Sequence, residues 1–384
     1  MLVAGEASGD LHGAMLCRAL KRQAPGWRLV GMGGPRMAEA GVRLLDNPIR
    51  HAVVGGGEAL SRIPRLFRAF RLLSKEVRAD RPRALILIDF PEFNLRLARV
   101  AKRLQIPVVY FIPPQVWAWR QGRARLLARL ATQVLAVFPF EPPIYEAAGA
   151  RVEFVGHPLL DVLPNGLSRE GARLALGIPS DVTLIGLLPG SRREEVERLL
   201  PSMVEAARRI REKIPQVRFL AAPALPVEPA LVERLLRKAP SEVAQVRGQT
   251  YEVMAAADLL LVASGTATLE AALIGTPMVV CYRVSRLSGL IARLLIRVPW
   301  VSLANIVSGR AVVPELLQDN ASGPRLAEEA VGLLKNPERL RAQRLAFGEL
   351  KGALGTRGVG ERSARRILEV AGYPRSTGSG TAAS

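Results

Sequence analysis

The residues best equipped for chemistry stand where apolar runs stop. Leu187-Leu188 leads into Pro189-Gly190-Ser191-Arg192-Arg193-Glu194. Small residues that admit a close approach, free N–H groups at a helix start and adjacent guanidinium groups suit a phosphate or diphosphate. Ser191 and Glu194 also spell a capping box, which would serve any helix without a ligand. A second passage of the same kind is Ala263-Ser264-Gly265-Thr266-Ala267-Thr268-Leu269-Glu270. Glu270, one turn in, suits hydrogen bonds from ribose hydroxyls, or else a solvated helix face. A third apolar run, Leu87-Ile88, ends on Asp89. A carboxylate at the mouth of a crevice has its pKa raised by partial burial toward that of a general base. Asp89 would otherwise only tie down its loop, and Asn94 reads as the N-cap of the following helix. Glu6 and Asp10, in Gly5-Glu6-Ala7-Ser8-Gly9-Asp10, are rival bases.

Other chemistries lack their residues. No Gly precedes a Lys, so no P-loop is present. Gly31-Met32-Gly33-Gly34-Pro35-Arg36 puts Arg36 where a dinucleotide fingerprint needs its third glycine and reads as a plain strand-to-helix turn. Neither H-E-x-x-H, G-x-S-x-G nor D-x-D occurs, and His12, His51 and His157 have no ligand spacing. Neither a metal nor a cofactor is expected.

The elements that must position these residues form a recurring series: a short apolar run, a Gly/Pro/Ser turn, then a stretch of helical length. That series predicts α/β architecture with parallel strands. Strands are expected at Met1–Ala4, Arg28–Gly31, Ala84–Ile88, Val108–Phe111, Gln133–Val137 and Val152–Val155. A second set follows at Thr183–Leu188, Arg218–Ala222, Glu242–Val246, Leu259–Val262 and Met278–Tyr282. Pro158 to Asp181 carries Pro164-Asn165-Gly166 and Gly177-Ile178-Pro179, the punctuation of a connection, which places a domain boundary near residue 160. The expected division is 1–160, 161–340, terminal helices within 341–371 that return to the first domain, and a flexible tail over 372–384. Helices are expected at about 324–351 and 358–371. Met1–Ala4 is short, which fits an edge strand or a start codon placed late.

Composition narrows the partners. The 384 residues carry 54 Lys+Arg against 34 Asp+Glu, a net charge of +20, and 49% are hydrophobic, so the chain should fold and meet something anionic. Nucleic acid is the main rival partner. Aromatic residues are only 5%, no binding motif appears, and the charge is spread over many helices, so none is expected. Cys17 and Cys281 form no disulfide framework or zinc site, which fits a reducing cytoplasm. The first residues lack a secretory signal, and the longest uncharged run, Leu104 to Trp119, is broken by prolines and cannot span a bilayer. Leu60 to Val77 alternates Arg62, Arg65, Arg68, Arg71 and Lys75 with Leu66, Phe67, Phe70 and Leu73. This is a basic amphipathic helix, suited to an anionic lipid surface or to packing on a sheet with a solvated rim. Arg286 to Trp300 is a second apolar, basic segment.

Together the motifs resemble the lipid-A-disaccharide synthase family. The landmarks are Ala4 to Asp10, Gly34-Pro35-Arg36-Met37, Asp89 to Asn94, Val116-Trp117-Ala118-Trp119-Arg120, Pro139-Phe140-Glu141 and Val155-Gly156-His157-Pro158, then Leu188 to Arg192, Ala263 to Ala267 and Ser302-Leu303-Ala304-Asn305. Departures are the missing lead-in to the first strand, Pro113-Pro114-Gln115 in place of the usual Ser-Pro-Ser, and Ala304 where Pro is common. The resemblance implies a GT-B fold, two Rossmann-like domains with parallel sheets facing across a cleft. It implies transfer from UDP-2,3-diacylglucosamine to 2,3-diacylglucosamine 1-phosphate, giving the lipid A disaccharide and UDP. On the family pattern Gly190, Ser191, Arg192, Ser264, Gly265, Thr266, Ala267, Glu270 and Asn305 bind the UDP-sugar, with Arg192 at the diphosphate, Glu270 at the ribose and Asn305 at the site's edge. Asp89 is the favoured base, and Glu6, Ser8, Gly9 and Asp10 line the acceptor side. The absence of D-x-D and of a second carboxylate partner fits metal-free, inverting displacement. The implied setting is the inner face of the cytoplasmic membrane, bound peripherally, and a homodimer is compatible with it. Another UDP-sugar enzyme of this architecture, a 2-epimerase or a transferase with a soluble acceptor, is the nearest alternative.

Overall fold

The computed structural model describes residues 1–48, 59–117, 122–224, 227–237, 243–284 and 299–373, with side chains of the helix Ala59–Asp80 described from residue 64. His51, Trp119-Arg120, Arg286 to Arg297 and the tail from Ser376 lie outside these residues. The chain divides into two compact units, Met1–Val162 with Thr356–Ser384, and Leu163–Gly355.

In the first unit the strands are β1 (Leu2–Ala4), β2 (Val30–Met32), β3 (Arg43–Asp46), β4 (Leu85–Ile88), β5 (Val108–Phe111), β6 (Gln133–Ala136) and β7 (Val152–Phe154). They form one parallel sheet in the order β3-β2-β1-β4-β5-β6-β7. Leu85–Ile88 and Val108–Phe111 are buried along their whole length, as strands covered by helices on both faces must be. Val3, Leu87, Val108 and Val134 meet Leu73, Val77 and Leu97 in one core. β1 is thus central and not an edge strand: three residues suffice because they pair on both sides, Leu2 with Gly31 and with Ile86.

The second unit repeats the plan with β8 (Thr183–Leu188), β9 (Val217–Ala221), β10 (Val243–Gln245), β11 (Leu259–Ala263), β12 (Met278–Tyr282) and β13 (Glu315–Leu317), in the order β10-β9-β8-β11-β12-β13. Its core joins Ile185, Leu187, Leu259 and Leu261 to Val196, Leu200 and Met203 of the helix Arg193–Lys213. β3 and β13 escape the sequence reading because an edge strand needs few apolar residues, and Arg43-Leu44-Leu45-Asp46 and Glu315-Leu316-Leu317 are at most half-buried.

The helical stretch expected over about 324–351 is made of two helices, Gly323–Leu334 and Pro337–Ala353. Asn336 caps the second, its Oδ1 accepting from the Arg339 amide at 3.1 Å, with Pro337 in the first turn. Both belong to the second unit. Only the last helix, Val359–Val370, lies with the first unit, against the helix Ala7–Gln23. Asp161 fixes the start of this helix by accepting from the Gly358 and Gly360 amides at 2.6 and 2.8 Å.

Candidate active site

In an open parallel sheet, ligands bind beyond the carboxyl ends of the strands where the strand order reverses. The reversal lies between β1 and β4 in the first sheet and between β8 and β11 in the second. Glu6 follows β1, Asp89 follows β4, Gly190 to Arg192 follow β8, and Ser264 to Ala267 follow β11. These four motifs therefore flank a switch point, whereas Asn305 lies in the helix Leu303–Ser308 between β12 and β13.

Asp89 and Phe90 both adopt left-handed backbone, with φ of 47° and 50°, a region costly for residues with a Cβ. Three hydrogen bonds hold the turn. The Tyr110 hydroxyl donates to the Asp89 carbonyl at 2.8 Å, the Asn94 amide donates to the same oxygen at 2.6 Å, and the Asp89 N–H donates to Phe111 at 3.2 Å. Asn94 is thus no N-cap: it lies inside the helix Pro91–Arg103, fully buried, and Phe90 takes the cap position. Gly5 completes the fit, because a Cβ there would stand 2.3 Å from the Phe90 ring. Burial, followed by the negative charge of Glu6, pushes the Asp89 carboxyl up to about 6.

The neighbouring residues divide into two groups. Glu6 is exposed at the start of the helix Ala7–Gln23, with Ser8 half-buried and Gly9 buried in its first turn. Asp10 has another task. It is buried, and its carboxylate accepts from the backbone amides of Gly34, Arg36 and Met37 at 2.7, 3.1 and 3.0 Å, holding the start of the helix Pro35–Glu39. His12 and His157 are buried with ring centroids 6.4 Å apart; burial lowers His12 to about 4 and His157 well below the ordinary histidine range. Burial thus favours the uncharged ring at both positions.

In the second unit Gly190 and Gly265 stand before the helices Arg193–Lys213 and Thr266–Ile274 with φ of 120° and 151°, conformations natural only to glycine. The capping register differs from the sequence reading by one residue. Arg192 is the N-cap, and Glu195, not Glu194, reaches back to accept from the Ser191 and Arg192 amides at 3.0 and 3.3 Å. The Arg192 guanidinium is exposed and 3.9 Å from that carboxylate. Glu270 is half-buried; desolvation raises its pKa while the Tyr251 hydroxyl donates to it at 3.0 Å.

Asn305 is fully buried, and its amide faces protein on both sides. Its Nδ2 donates to the Val313 carbonyl at 3.0 Å and to Glu315 at 2.8 Å, and its Oδ1 accepts from the Val312 and Val313 amides at 2.7 and 2.9 Å. Glu315 also accepts from the Val301 and Ser302 amides, both at 2.9 Å, and Ser264 donates to the Val301 carbonyl at 2.8 Å. A chain of bonds thus fastens the 301–305 segment to the turn after β11. Tyr110, Tyr251, Glu195 and Glu315 carried no sequence signal, because each acts on a partner in another element or one turn away in a cap.

The helix Ala59–Asp80 buries Ala69, Leu73, Ser74 and Val77, and Phe70 packs edge-on to Phe93 at 6.0 Å. Most of its described apolar face therefore belongs to the core. Phe67, 55% exposed, and Leu72, 39% exposed, remain outside, with Arg71 over the Phe67 ring at 4.6 Å. Among the described residues no helix is long and apolar enough to cross a membrane.

Two parallel α/β sheets, of seven and six strands with the same reversal of strand order, place the chain in the GT-B class of fold. The same fold occurs in the UDP-GlcNAc 2-epimerase from Neisseria meningitidis bound to UDP-GlcNAc, at 13% identity and a TM-score of 0.63 over 96% of this chain and 99% of that one. It occurs also in the glycosyltransferase of kitacinnamycin, at 16% identity and a TM-score of 0.64 over 96% and 98%. The family model described as lipid-A-disaccharide synthetase matches residues 1–359. The lipid-A-disaccharide synthase of Syntrophus aciditrophicus (strain SB) is 46% identical over 371 residues, 96% of this chain and 97% of that protein. The chain belongs to the lipid-A-disaccharide synthase family and is a glycosyltransferase of lipid A biosynthesis.

Proposed function

We propose that the protein joins UDP-2,3-diacylglucosamine to 2,3-diacylglucosamine 1-phosphate by one inverting displacement that needs no metal. The observation that carries this reading is the Asp89 turn: a half-buried carboxylate with its pKa near 6, fixed by Tyr110 and Asn94 at the switch point of the first sheet. Asp89 takes the proton of the acceptor hydroxyl as its oxygen attacks the anomeric carbon. The bond to the diphosphate breaks on the opposite side, and UDP leaves with the electron pair.

The second unit holds the donor. Gly190, Ser191 and Arg192 meet the diphosphate, whose growing charge the exposed Arg192 guanidinium stabilises. Ser264, Gly265, Thr266 and Ala267 form the opposite loop, and Glu270 accepts from the ribose. Asn305 acts at one remove, by holding the segment bonded to Ser264. On the acceptor side Glu6, Ser8 and Gly9 line the crevice, and Asp10 shapes it through the Gly34–Met37 turn. Incubation of the two substrates in excess EDTA should release disaccharide and UDP. No product under any metal condition refutes the transfer, and activity restored only by Mg²⁺ refutes the metal-free step.

Both substrates are lipids, so the enzyme must work at the inner face of the cytoplasmic membrane. Of four large apolar side chains exposed among the described residues, Phe67 and Leu72 lie on the helix that also carries Arg65, Arg68, Arg71, Lys75 and Arg78. Each basic residue near an anionic surface contributes about 1 kcal/mol, screened by salt. The protein should co-sediment with anionic vesicles more than with neutral ones. Replacing Phe67 and Leu72 by Ser with Arg68 and Arg71 by Glu should release it, and a folded variant that stays bound excludes this helix as the docking surface.

A further inference from the structure

We propose that Trp117 is a wall of the acceptor-sugar site and that Glu141 is the positioning residue that sets its ring. The inference rests on the glycosyltransferase reading above and adds the apolar side of sugar recognition, which Asp89 cannot supply.

β5 ends on Phe111, and the chain leaves it through Ile112 with φ of 60°. A β-branched residue is rarely found in the left-handed region, where it costs energy unless its surroundings impose it. Asp89 and Phe90 at the end of the adjacent β4 share the same backbone region. Strained turns therefore stand side by side at one sheet edge. Tyr110, the third residue of β5, donates to the Asp89 carbonyl, so the turn of the base and the segment leading to Trp117 hang on one strand.

The helix Glu141–Glu146 fastens that segment twice. The Tyr145 hydroxyl donates to the Pro114 carbonyl, and the Trp117 indole N–H donates to Glu141 Oε1 at 3.3 Å. Glu141 is 1% exposed, and its other oxygen accepts from the Val137 and Phe138 amides at 3.0 and 3.1 Å. The ring of Trp117 stands edge-on to Phe140 at 5.3 Å and to Phe138 at 6.2 Å, against a pair that is itself stacked at 5.5 Å.

Aromatic packing alone does not call for a carboxylate in such a cluster, and burying one is unfavourable unless every contact is made. Here one carboxylate oxygen holds the turn after β6 through two amides, and the other fixes the rotation of one indole. Trp117 is only half-buried, and among the described residues part of its ring stays uncovered. An indole with its N–H turned inward presents apolar ring surface of the size of a pyranose, whose ring C–H groups lie against aromatic faces. Sugar sites combine such walls with a few placed polar groups. Asp89 is the polar group and Trp117 the wall.

The test is steady-state kinetics with each substrate varied in turn, on variants shown to be folded by circular dichroism and melting. Trp117→Ala should raise the acceptor KM by about tenfold or more and leave the donor KM within about twofold. Glu141→Gln should raise the acceptor KM by several fold. Trp117→Phe keeps a ring but lacks the N–H, so adding Glu141→Gln to it should cost less than Glu141→Gln costs in the wild type. If Glu141→Gln does not fold, the Trp117→Ala and Trp117→Phe pair carries the test. A folded Trp117→Ala with an unchanged acceptor KM, or with both KM values raised together, overturns the inference. Failure of the wild-type protein to form disaccharide overturns the functional reading and this inference with it. A wild-type protein that forms disaccharide, beside an unaffected Trp117→Ala, overturns the inference alone.

Discussion

The two switch points use different physical means. At the first, Asp89 sits half-buried on a left-handed turn that Tyr110, Asn94 and the space left by Gly5 hold in place. At the second, Arg192 and the amides of Ser191 and Arg192 stand at an exposed helix start, with Glu195 of the same helix as their anionic partner. A base must have its proton affinity tuned, which requires burial and neighbouring charge. A site for a diphosphate must release its product after each turnover, and solvated groups with modest local partners allow that. On the proposed roles, rigidity belongs to the proton-transfer side, and exchangeable contact to the donor side.

The sharpest break of this contrast is Asp89→Asn. Turnover should fall by about 10³-fold, within the range for loss of a general base, while UDP affinity stays within a few fold. In the wild type, kcat/KM should rise with pH through about 6, where the carboxyl loses its proton. Retained turnover in the variant would move the role to Glu6. Next in size is Arg192→Ala, which should lower kcat/KM for the donor by about 10²-fold, because the contact strengthens as the diphosphate departs. A wild-type rate there would leave the Pro189–Glu195 turn as a helix cap and nothing more.

How much of this could be read from the sequence follows from the range of each interaction. Central strands announce themselves through continuous apolar runs, and turns through Gly and Pro, so the alternation of elements and the loops that end on Asp89, Arg192 and Ser264 were legible. Contacts between elements were not. The Tyr110 hydroxyl reaches Asp89 across 21 residues of chain, the Trp117 indole reaches Glu141 across 24, and Tyr251 reaches Glu270 across 19. No spacing rule encodes these, since they depend on which strands become neighbours. Asn94 shows the same limit in a short span: six residues after Ile88 it has the type and place of a cap, yet its helix starts earlier, at Pro91, and turns it inward. The amphipathic helix shows it again, because periodicity reveals an apolar face but not that Leu73 and Val77 already cover the sheet.

The smallest effect separates the two regions by stability and not by rate. The folded-state pKa of Asp89 is raised from 3.8 to about 6, so between those values the folded chain binds more protons than the unfolded one. Its contribution therefore favours folding below pH 3.8 and is progressively lost as pH rises through 6. Asparagine has nearly the same shape and no proton to lose. Asp89→Asn should then be more stable than the wild type at pH 8 by about 3 kcal/mol, since a tenfold change in proton affinity is worth roughly 1.4 kcal/mol, and the difference should vanish near pH 4. Arg192→Ala, at an exposed site, should change stability little at either pH. Denaturant unfolding of the three proteins at pH 8 and pH 4, with hydrogen exchange assigning the change to a unit, decides the matter. An Asp89→Asn variant no more stable than the wild type at pH 8 would mean that the carboxylate is already compensated in its turn, and the first switch point would then resemble the second.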